Sequence, residues 1–351
     1  LEAIRKLPPG TYRNSVTMDG YDRPLTLAAA MTIGSDGIHV DYTGTSPASA
    51  FGINVVMNYT LAYTAFGVKC LVAPEVPNNA GSLAPITASA PDGCLLNVKR
   101  PHAVAARHTV GHMLPDVVFG CLHQVMAGGV PAEGASSLWN PQIYGGADVE
   151  AEFGVDDADT PPFSTVIFHC GGTGARPGKD GLDVTAFPSG VRTIPVEATE
   201  SVAPVIFRRR EFREGSGGAG RYRGGLGQVI ELGGADGSAV AMLCNFERIN
   251  NPARGRDGGG LGARGGVSLV SGKPIRSKGR QTVGGGDFIR LELPGGGGFG
   301  DPASRDPEQV ASDVADGIIS REVAESDYRV ALSADGTLDR AATARLRTGR
   351  T

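Results

Sequence analysis

Residues 171–227 read GGTGARPGKDGLDVTAFPSGVRTIPVEATESVAPVIFRRREFREGSGGAGRYRGGLG. Glycine clusters at both ends flank a strand-like run, SVAPVIFRRREF, at residues 201–212. Because glycine loses much conformational entropy on folding, a chain keeps this many only where its backbone takes positive φ or approaches another group closely. Flexible linkers rarely interleave glycine with so varied a set of charged and apolar side chains. The stretch therefore predicts ordered backbone that shapes a site or an interface.

The bulk composition is that of a globular protein. The chain has 351 residues, of which 40% are hydrophobic and 20% charged, enough for one large domain or two to three ordinary ones. Its 33 basic and 37 acidic residues give a net charge of −4, so no general attraction to nucleic acid follows. The basic run at residues 208–210 is local and is followed by glutamates, which is typical of a solvated strand face or an interface patch. We expect no nucleic-acid partner.

Cysteine usage and hydropathy bear on the cellular location. The five cysteines are scattered without CxxC spacing, which argues against a disulfide framework and a structural zinc site and suits a reducing cytoplasm. The sequence has no apolar run long enough to span a bilayer, and no signal peptide opens it. We therefore expect a cytoplasmic protein without a membrane partner. Since the chain starts at Leu1 rather than methionine, we interpret it as part of a longer polypeptide.

Hydrophobic periodicity predicts an α+β fold, mainly antiparallel β-sheet. Alternating residues and Asp-Gly turns over residues 10–45 predict hairpins, and residues 164–295 have strand-and-turn character throughout. Helices are expected in the first third of the chain, over residues 54–72 and 103–126, with an interruption at Pro115. Further helices are expected near the C-terminus.

Three regions follow from this pattern. Residues 1–160 form a mixed α/β region, residues 161–303 a glycine-rich β region that carries the site loops, and residues 304–351 a helical tail. In the tail, Asp306 is a candidate N-cap with Pro307 at the first helical position. The Arg-rich end of the tail is expected to fray.

A candidate metal site lies in the segment ARHTVGHMLPD. His108, His112 and Asp116 stand four residues apart, so on a continuous helix they share one face and two imidazoles and a carboxylate can converge on a metal. Pro115 removes a backbone donor and favours a kink that takes Asp116 off this line. Hydrogen-bonded, buried or interface histidines are the alternative, because His-x3-His alone is a weak signal.

A candidate oxyanion site lies in GGTGARPG at residues 171–178. The segment lacks the Gly-Lys-Ser/Thr ending of a Walker loop, yet its backbone N–H groups could hold an oxyanion or a carboxylate. Arg176 and Lys179 would supply charge there, and Asp180 is a candidate acid or base that spacing alone does not pair with a partner. The alternative is a pair of tight turns with surface charges.

Several long motifs, in this order along the chain, resemble the hydantoinase B / oxoprolinase family, in particular its N-methylhydantoinase B-like subgroup. They are VDYTGTSPASAFGINVVMNYTLAYTAF, VPNNAGSLAPI, PDGCLLN, AVAARHTVGHMLPDVVFG, GGTGARPGKDG, SGGAGRYRGGLG and PGGGGFGDP. The resemblance covers nearly the whole chain.

The resemblance implies a two-part enzyme. ATP is bound by a hydantoinase A-type subunit, which phosphorylates an amide or carbonyl oxygen, and the B-type subunit handles the activated intermediate. The chain is then the C-terminal portion of a hydantoinase B-like subunit in a heteromeric, ATP-dependent cyclic amidase that opens a hydantoin- or lactam-like ring. Two alternatives stay open: a subunit of an ATP-dependent ketone carboxylase, or a non-catalytic scaffold that docks the missing half and the partner subunit.

Two departures from the family pattern limit what carries over. The N-terminal half of B-type polypeptides, which holds a His/Asp divalent-metal site, has no counterpart here, so a Zn, Mn or Mg ion is expected in that missing half and ATP in the partner subunit. Many members also have a glutamate before the glycine cluster, where this chain has Ile167. His169 is considered as a polar stand-in for it.

The expected site therefore combines charged residues with glycine backbone. Arg176, Lys179, Asp180 and His169 are the expected catalytic residues, and His108 and His112 are weaker metal candidates. The glycines expected to shape the backbone around a substrate are Gly171, Gly172, Gly174, Gly217, Gly218, Gly224 and Gly225.

Overall fold

The computed structural model describes residues 1–155 and 161–349. The chain divides into two compact units, residues 1–131 and 132–351. The boundary expected at residue 160 lies outside the described residues, and the division into three regions stays a prediction.

The first unit is built on a four-stranded sheet in the order β1-β2-β3-β4. Strands β1 (Gly10–Met18) and β2 (Leu25–Ile33) pair antiparallel along their whole length, which confirms the predicted hairpin. Strand β3 (Ile38–Asp41) continues antiparallel, and β4 (Ile86–Ser89) joins it in parallel. Every second residue of β2 is buried, because successive side chains point to opposite faces of a strand.

Helices cover this sheet. The helix predicted over residues 54–72 is confirmed, whereas the one predicted over residues 103–126 is two short helices. Pro115 lies in the first turn of the second of these, where its missing N–H leaves no intrahelical bond unmade, so it begins a helix rather than bending one. The helices are α1 (Glu2–Arg5), α2 (Met57–Val72), α3 (Ala80–Leu83), α4 (His108–Gly111) and α5 (Leu114–Leu122).

The second unit contains two four-stranded sheets among its described residues. Their strand orders are β10-β12-β8-β7 and β11-β9-β5-β6, with antiparallel neighbours throughout. Both sheets contribute to one apolar core, in which Trp139 stacks on Phe246 at 4.3 Å between ring centroids. The strands are β5 (Gln142–Gly145), β6 (Phe163–Val166), β7 (Val205–Phe212), β8 (Gln228–Gly234), β9 (Val240–Asn245), β10 (Gly266–Leu269), β11 (Lys278–Val283) and β12 (Ile289–Glu292).

Four glycine-rich segments outside these strands pack backbone against backbone, and we call them the glycine bundle: residues 171–174, 217–227, 255–262 and 295–298. Their N–H and C=O groups bond across the bundle, as in Gly225 N to Thr173 O (2.9 Å) and Gly296 N to Gly225 O (3.0 Å). A Cβ on Gly172 would lie 1.8 Å from the Gly225 carbonyl oxygen, and one on Gly224 1.9 Å from that of Gly296. Glycine is required because the segments lie too close together for any side chain.

The chain ends in three helices with side-chain caps. The predicted N-cap at Asp306 is confirmed, since its Oδ1 accepts a hydrogen bond from Glu308 N at 3.1 Å. Pro307 follows at the first helical position. The expectation that the Arg-rich end frays is wrong, because Asp339 caps a further helix that runs to Thr348. The remaining helices are α6 (Ala147–Ala151), α7 (Val196–Val202), α8 (Pro307–Ala315), α9 (Arg321–Ser326) and α10 (Arg340–Thr348), with 3-10 turns at Ala235–Gly237 and Pro302–Ser304.

The architecture is therefore an α+β mixture with mainly antiparallel sheets, as predicted. Among the described residues, no helix has the length and apolar character needed to cross a membrane.

Candidate functional site

The predicted charged residues at positions 176–180 form one tight turn. Arg176 and Lys179 exchange backbone hydrogen bonds of 2.9 and 3.1 Å. The Arg176 guanidinium donates from Nε (3.1 Å) and Nη2 (2.8 Å) to the carbonyl oxygen of Asp180, which holds the side chain across the turn. Lys179 is exposed. The turn thus presents a positioned guanidinium and an exposed lysine.

The Asp180 carboxylate joins the turn to the C-terminal helices. Its oxygens accept from Arg305 Nη1 at 2.7 Å and Nη2 at 2.9 Å, and from the backbone N–H of Arg223 at 2.7 Å. Arg305 also binds Asp313 in α8. Burial alone would raise the pKa of Asp180, but the Arg305 hydrogen bonds and charge outweigh it and lower that pKa. Asp180 is therefore ionised near neutral pH and suited to holding structure rather than to donating a proton.

The predicted substrate-binding glycines lie in the glycine bundle, next to this turn. The amide of Gly181, the residue after Asp180, donates to the Arg223 carbonyl at 2.8 Å, and a Cβ on Gly181 would lie 2.3 Å from Gly225 N. The structure thus brings the turn and the glycines together. Contacts of the glycines with one another account for their presence, and their part in binding a substrate stays a prediction.

His169, two residues before Gly171 in the sequence, is fully buried. Its backbone pairs with that of Trp139, at 2.9 and 3.1 Å, and neither ring nitrogen has a hydrogen-bond partner among the described residues. Burial, helped by the Arg210 charge, lowers the pKa of His169 to about 3. The imidazole is therefore neutral at physiological pH.

The two metal candidates belong to the first unit. The rings of His108 and His112 are 5.6 Å apart between centroids, with Tyr63 5.6 Å from His112. Burial, then the neighbouring His108, lowers the pKa of His112 to about 3. Across residues 1–155 and 161–349, no three His, Cys, Asp or Glu side chains are placed to hold a metal ion together. Both histidines stay weak metal candidates, and the described residues alone do not fit a metal site.

Sequence reasoning missed a buried carboxylate at Glu133. Its side chain is 2% exposed and accepts from Arg254 Nε at 2.6 Å and Arg248 Nη1 at 3.3 Å. Burial would raise the pKa of Glu133, but the charges of Arg248 and Arg254 lower it. Arg254 is held by this carboxylate with its side chain 48% exposed, so it presents an oriented positive group at the surface. The signal in the sequence is the unusual density of Arg and Asn in ERINNPARGRD.

The site as a whole offers positive charge, whereas the loop amides of Gly172, Thr173 and Ala175 already donate to backbone carbonyls. Arg176, Lys179 and Arg254 are cations at least partly accessible to solvent. Glu133 pairs with buried Arg248 and exposed Arg254, and Asp180 pairs with buried Arg305. Such an arrangement suits binding of an anionic group or stabilisation of developing negative charge. It offers no carboxylic acid with a raised pKa for proton donation among these residues.

Comparison with known proteins places the chain in a family. The sequence profile described as hydantoinase B/oxoprolinase matches residues 1–302. The chain therefore belongs to the hydantoinase B/oxoprolinase family, which confirms the resemblance noted from its motifs.

One sequence relative covers nearly the entire chain. A protein of Pseudomonas sp. (strain NS671), named as the B-type subunit of a putative D-/L-hydantoinase, is 31% identical over 99% of this chain, and the match covers 60% of that protein. The chain thus spans well under two thirds of the length of this relative.

Two solved structures share the fold. An ATP-dependent caprolactamase from Pseudomonas jessenii superimposes with a TM-score of 0.82 at 24% identity, over 99% of this chain and 61% of the other. A nucleotide-free acetone carboxylase gives a TM-score of 0.79 at 22% identity, over 99% and 53%. At these identities the likeness shows a common fold.

Proposed function

We propose that this chain is the C-terminal portion of a hydantoinase B-type subunit of an ATP-dependent cyclic amidase. The complete enzyme would open a hydantoin- or lactam-like ring together with an ATP-binding hydantoinase A-type partner. The observation that carries this proposal is the 31% identity, over 99% of the chain, to a protein named as the B-type component of a hydantoinase. A cytoplasmic location is part of the proposal.

ATP explains how such an enzyme overcomes the stability of an amide. Phosphorylating the amide oxygen turns a resonance-stabilised group into an electrophile that water attacks. Within this chain, Arg176 and Lys179 would bind the anionic activated group and stabilise negative charge as it develops. Asp180 would keep the turn in place through Arg305.

The metal and the nucleotide would be bound elsewhere in the assembly. The described residues do not bring three metal ligands together, and the glycine-rich segment leads into no Walker-type Lys-Ser/Thr. A Zn, Mn or Mg ion would then be held by the additional length that relatives carry, and ATP by the partner subunit.

The test is reconstitution with an A-type partner and the B-type segment that relatives have in addition. We expect ATP-dependent loss of a hydantoin or lactam that does not require bicarbonate. ATP hydrolysis that requires both bicarbonate and a ketone would instead identify a subunit of a ketone carboxylase. This is the second candidate function because the chain shares its fold with an acetone carboxylase. A stable assembly that turns over neither substrate class would favour the docking scaffold.

The role of Arg176 is tested in the same assembly. We expect Arg176→Ala to lower turnover by about 100-fold, the effect of losing one donor to a developing oxyanion, while circular dichroism stays unchanged. Arg192→Ala, which removes an exposed arginine from a nearby loop, is the matched control and should retain turnover. Wild-type turnover in Arg176→Ala would remove this residue from the site.

A further inference from the structure

Strand β7 carries an arginine on its core-facing side. In the pairing with β8, Phe207 lies opposite Leu232 and Arg210 opposite Ile230, with a register shift between Phe207 and Arg209. The bulge adds one residue to β7, so Phe207 and Arg210 face the same side although they are three residues apart. Ile230 and Leu232 are at most 1% exposed, which identifies this side as the core.

The segment that contains His169 lies over this side of the strand. Gln228 Nε2 donates to the Cys170 carbonyl oxygen at 3.0 Å, which ties the segment to β8. The His169 ring meets Phe207 edge-on at 6.5 Å between centroids, and Arg210 Nε reaches Gln228 Oε1 at 3.5 Å. The imidazole and the guanidinium therefore lie over the same side of the strand, where the His169 ring nitrogens and Arg210 Nη2 are buried.

Three buried polar atoms of this region lack a partner among the described residues. Arg210 Nη1 donates to the Ile194 carbonyl at 2.9 Å. The buried Nη2 of Arg210 and the two ring nitrogens of His169 have no hydrogen-bond partner within residues 1–155 and 161–349. Within the described part of the chain, no carboxylate pairs with Arg210. Buried polar atoms are almost always hydrogen-bonded, so one unsatisfied guanidinium nitrogen and two unsatisfied ring nitrogens point to a bound group that would supply their partners.

We propose that Arg210 and His169 form a buried binding site for a small carboxylate-type oxyanion, either an organic carboxylate or bicarbonate. A guanidinium offers parallel N–H donors that match the two oxygens of such a group. Because burial lowers the pKa of His169, the ring stays neutral and donates from only one nitrogen, which suits a monoanion better than a phosphate dianion.

Protection of a sheet edge is the competing explanation for Arg210. Strand β7 is the last strand of its sheet, and inward-pointing charges on edge strands discourage pairing with other chains. That role explains the arginine but leaves the imidazole without a partner. Edge protection also requires no ligand. A measurement of anion binding therefore distinguishes edge protection from an anion site.

The experiment titrates the isolated chain, without ATP or partner, with sodium bicarbonate and separately with sodium acetate. Thermal unfolding and the ring ¹⁵N shifts of ¹⁵N-histidine-labelled protein are recorded, with sodium chloride at equal ionic strength as reference. We expect at least one oxyanion to raise the melting temperature and shift the His169 ring signals, with saturation. Arg210→Gln should weaken this binding by about tenfold or more, and Arg209→Gln, on the opposite face, should leave it intact.

The two titrations also identify the ligand. Saturation by bicarbonate alone assigns a bicarbonate site, and saturation by acetate assigns an organic carboxylate. Unshifted His169 signals in the wild type with both salts would overturn the inference, even if Arg210→Gln fails to fold. An equal response in a folded Arg210→Gln would overturn it as well. Neither the melting temperature nor the ring ¹⁵N shift depends on turnover. Failure of the anion-site proposal can therefore be told apart from failure of the proposed ring-opening activity.

Discussion

At position 169 a neutral imidazole lies inside the core, and this predicts how stability depends on pH. The unfolded chain binds a proton on this ring below pH about 6.5, whereas the native state does not until pH about 3. Stability should therefore fall as the pH drops from 6.5 toward 4, by about 1.4 kcal/mol per pH unit for this residue. Urea unfolding at several pH values measures the slope.

Substitution of His169 isolates the contribution of this residue to the pH dependence of stability. His169→Phe should reduce the slope of unfolding free energy against pH by the contribution of about one proton. His112, whose pKa is also lowered, continues to contribute to that slope. His102→Phe removes an exposed histidine and serves as the control substitution. An unchanged slope in His169→Phe would mean that this ring takes up a proton in the native state.

At the scale of elements, the glycine bundle depends on contacts that admit no side chain. In Gly172→Ala the new Cβ would lie 1.8 Å from a backbone oxygen, so the segments must separate. We expect a loss of about 1–3 kcal/mol or more in the free energy of unfolding, as for overpacked interiors. Gly134→Ala is the control, because its Cβ would have ordinary contacts at 3.4 Å. Equal stabilities of the two variants in urea titrations would contradict this packing.

Arg305 connects the C-terminal helices to the turn at Asp180. Its side chain is 3% exposed and pairs with Asp180 and Asp313, so Arg305→Met leaves two carboxylates without their partner. We expect a loss of about 2–4 kcal/mol, reduced from that of a fully buried pair because Asp180 is one third exposed. Hydrogen exchange should become faster in α8.

The exposed pair between Arg340 and Glu308 provides the comparison for this prediction. Arg340→Met should change stability by less than about 1 kcal/mol, since exposed ion pairs contribute little. If Arg305→Met were as mild as Arg340→Met, the buried network would not hold these helices in place.

At the scale of the whole molecule, the chain spans only part of the length of its relatives. We predict that the isolated chain does not open hydantoin or lactam rings, with or without ATP, because it corresponds to only 60% of the hydantoinase relative. Addition of the complementary B-type segment and an A-type partner should produce activity, measured as ATP-dependent substrate loss. Ring opening by the chain alone would contradict the proposed division of labour.

Local patterns in the sequence predicted much of the fold. The hairpin of β1 and β2, helix α2 and the Asp306 cap were predictable because each depends on residues a few positions apart. The family was identifiable because long motifs occur in a fixed order. For the site, the turn at residues 176–180 was predicted as a group of charges, although its hydrogen bonds were not.

The remaining features depend on residues that are distant in sequence. Gly172 packs on Gly225, and Asp180 binds Arg305 across 125 positions, and such pairs have no periodic signature. One bulge in β7 turned Arg210 toward the core, where strict alternation would have placed it on the face opposite Phe207. Side-chain direction and burial thus follow from how the strands meet, because a register shift of one residue reverses every face beyond it.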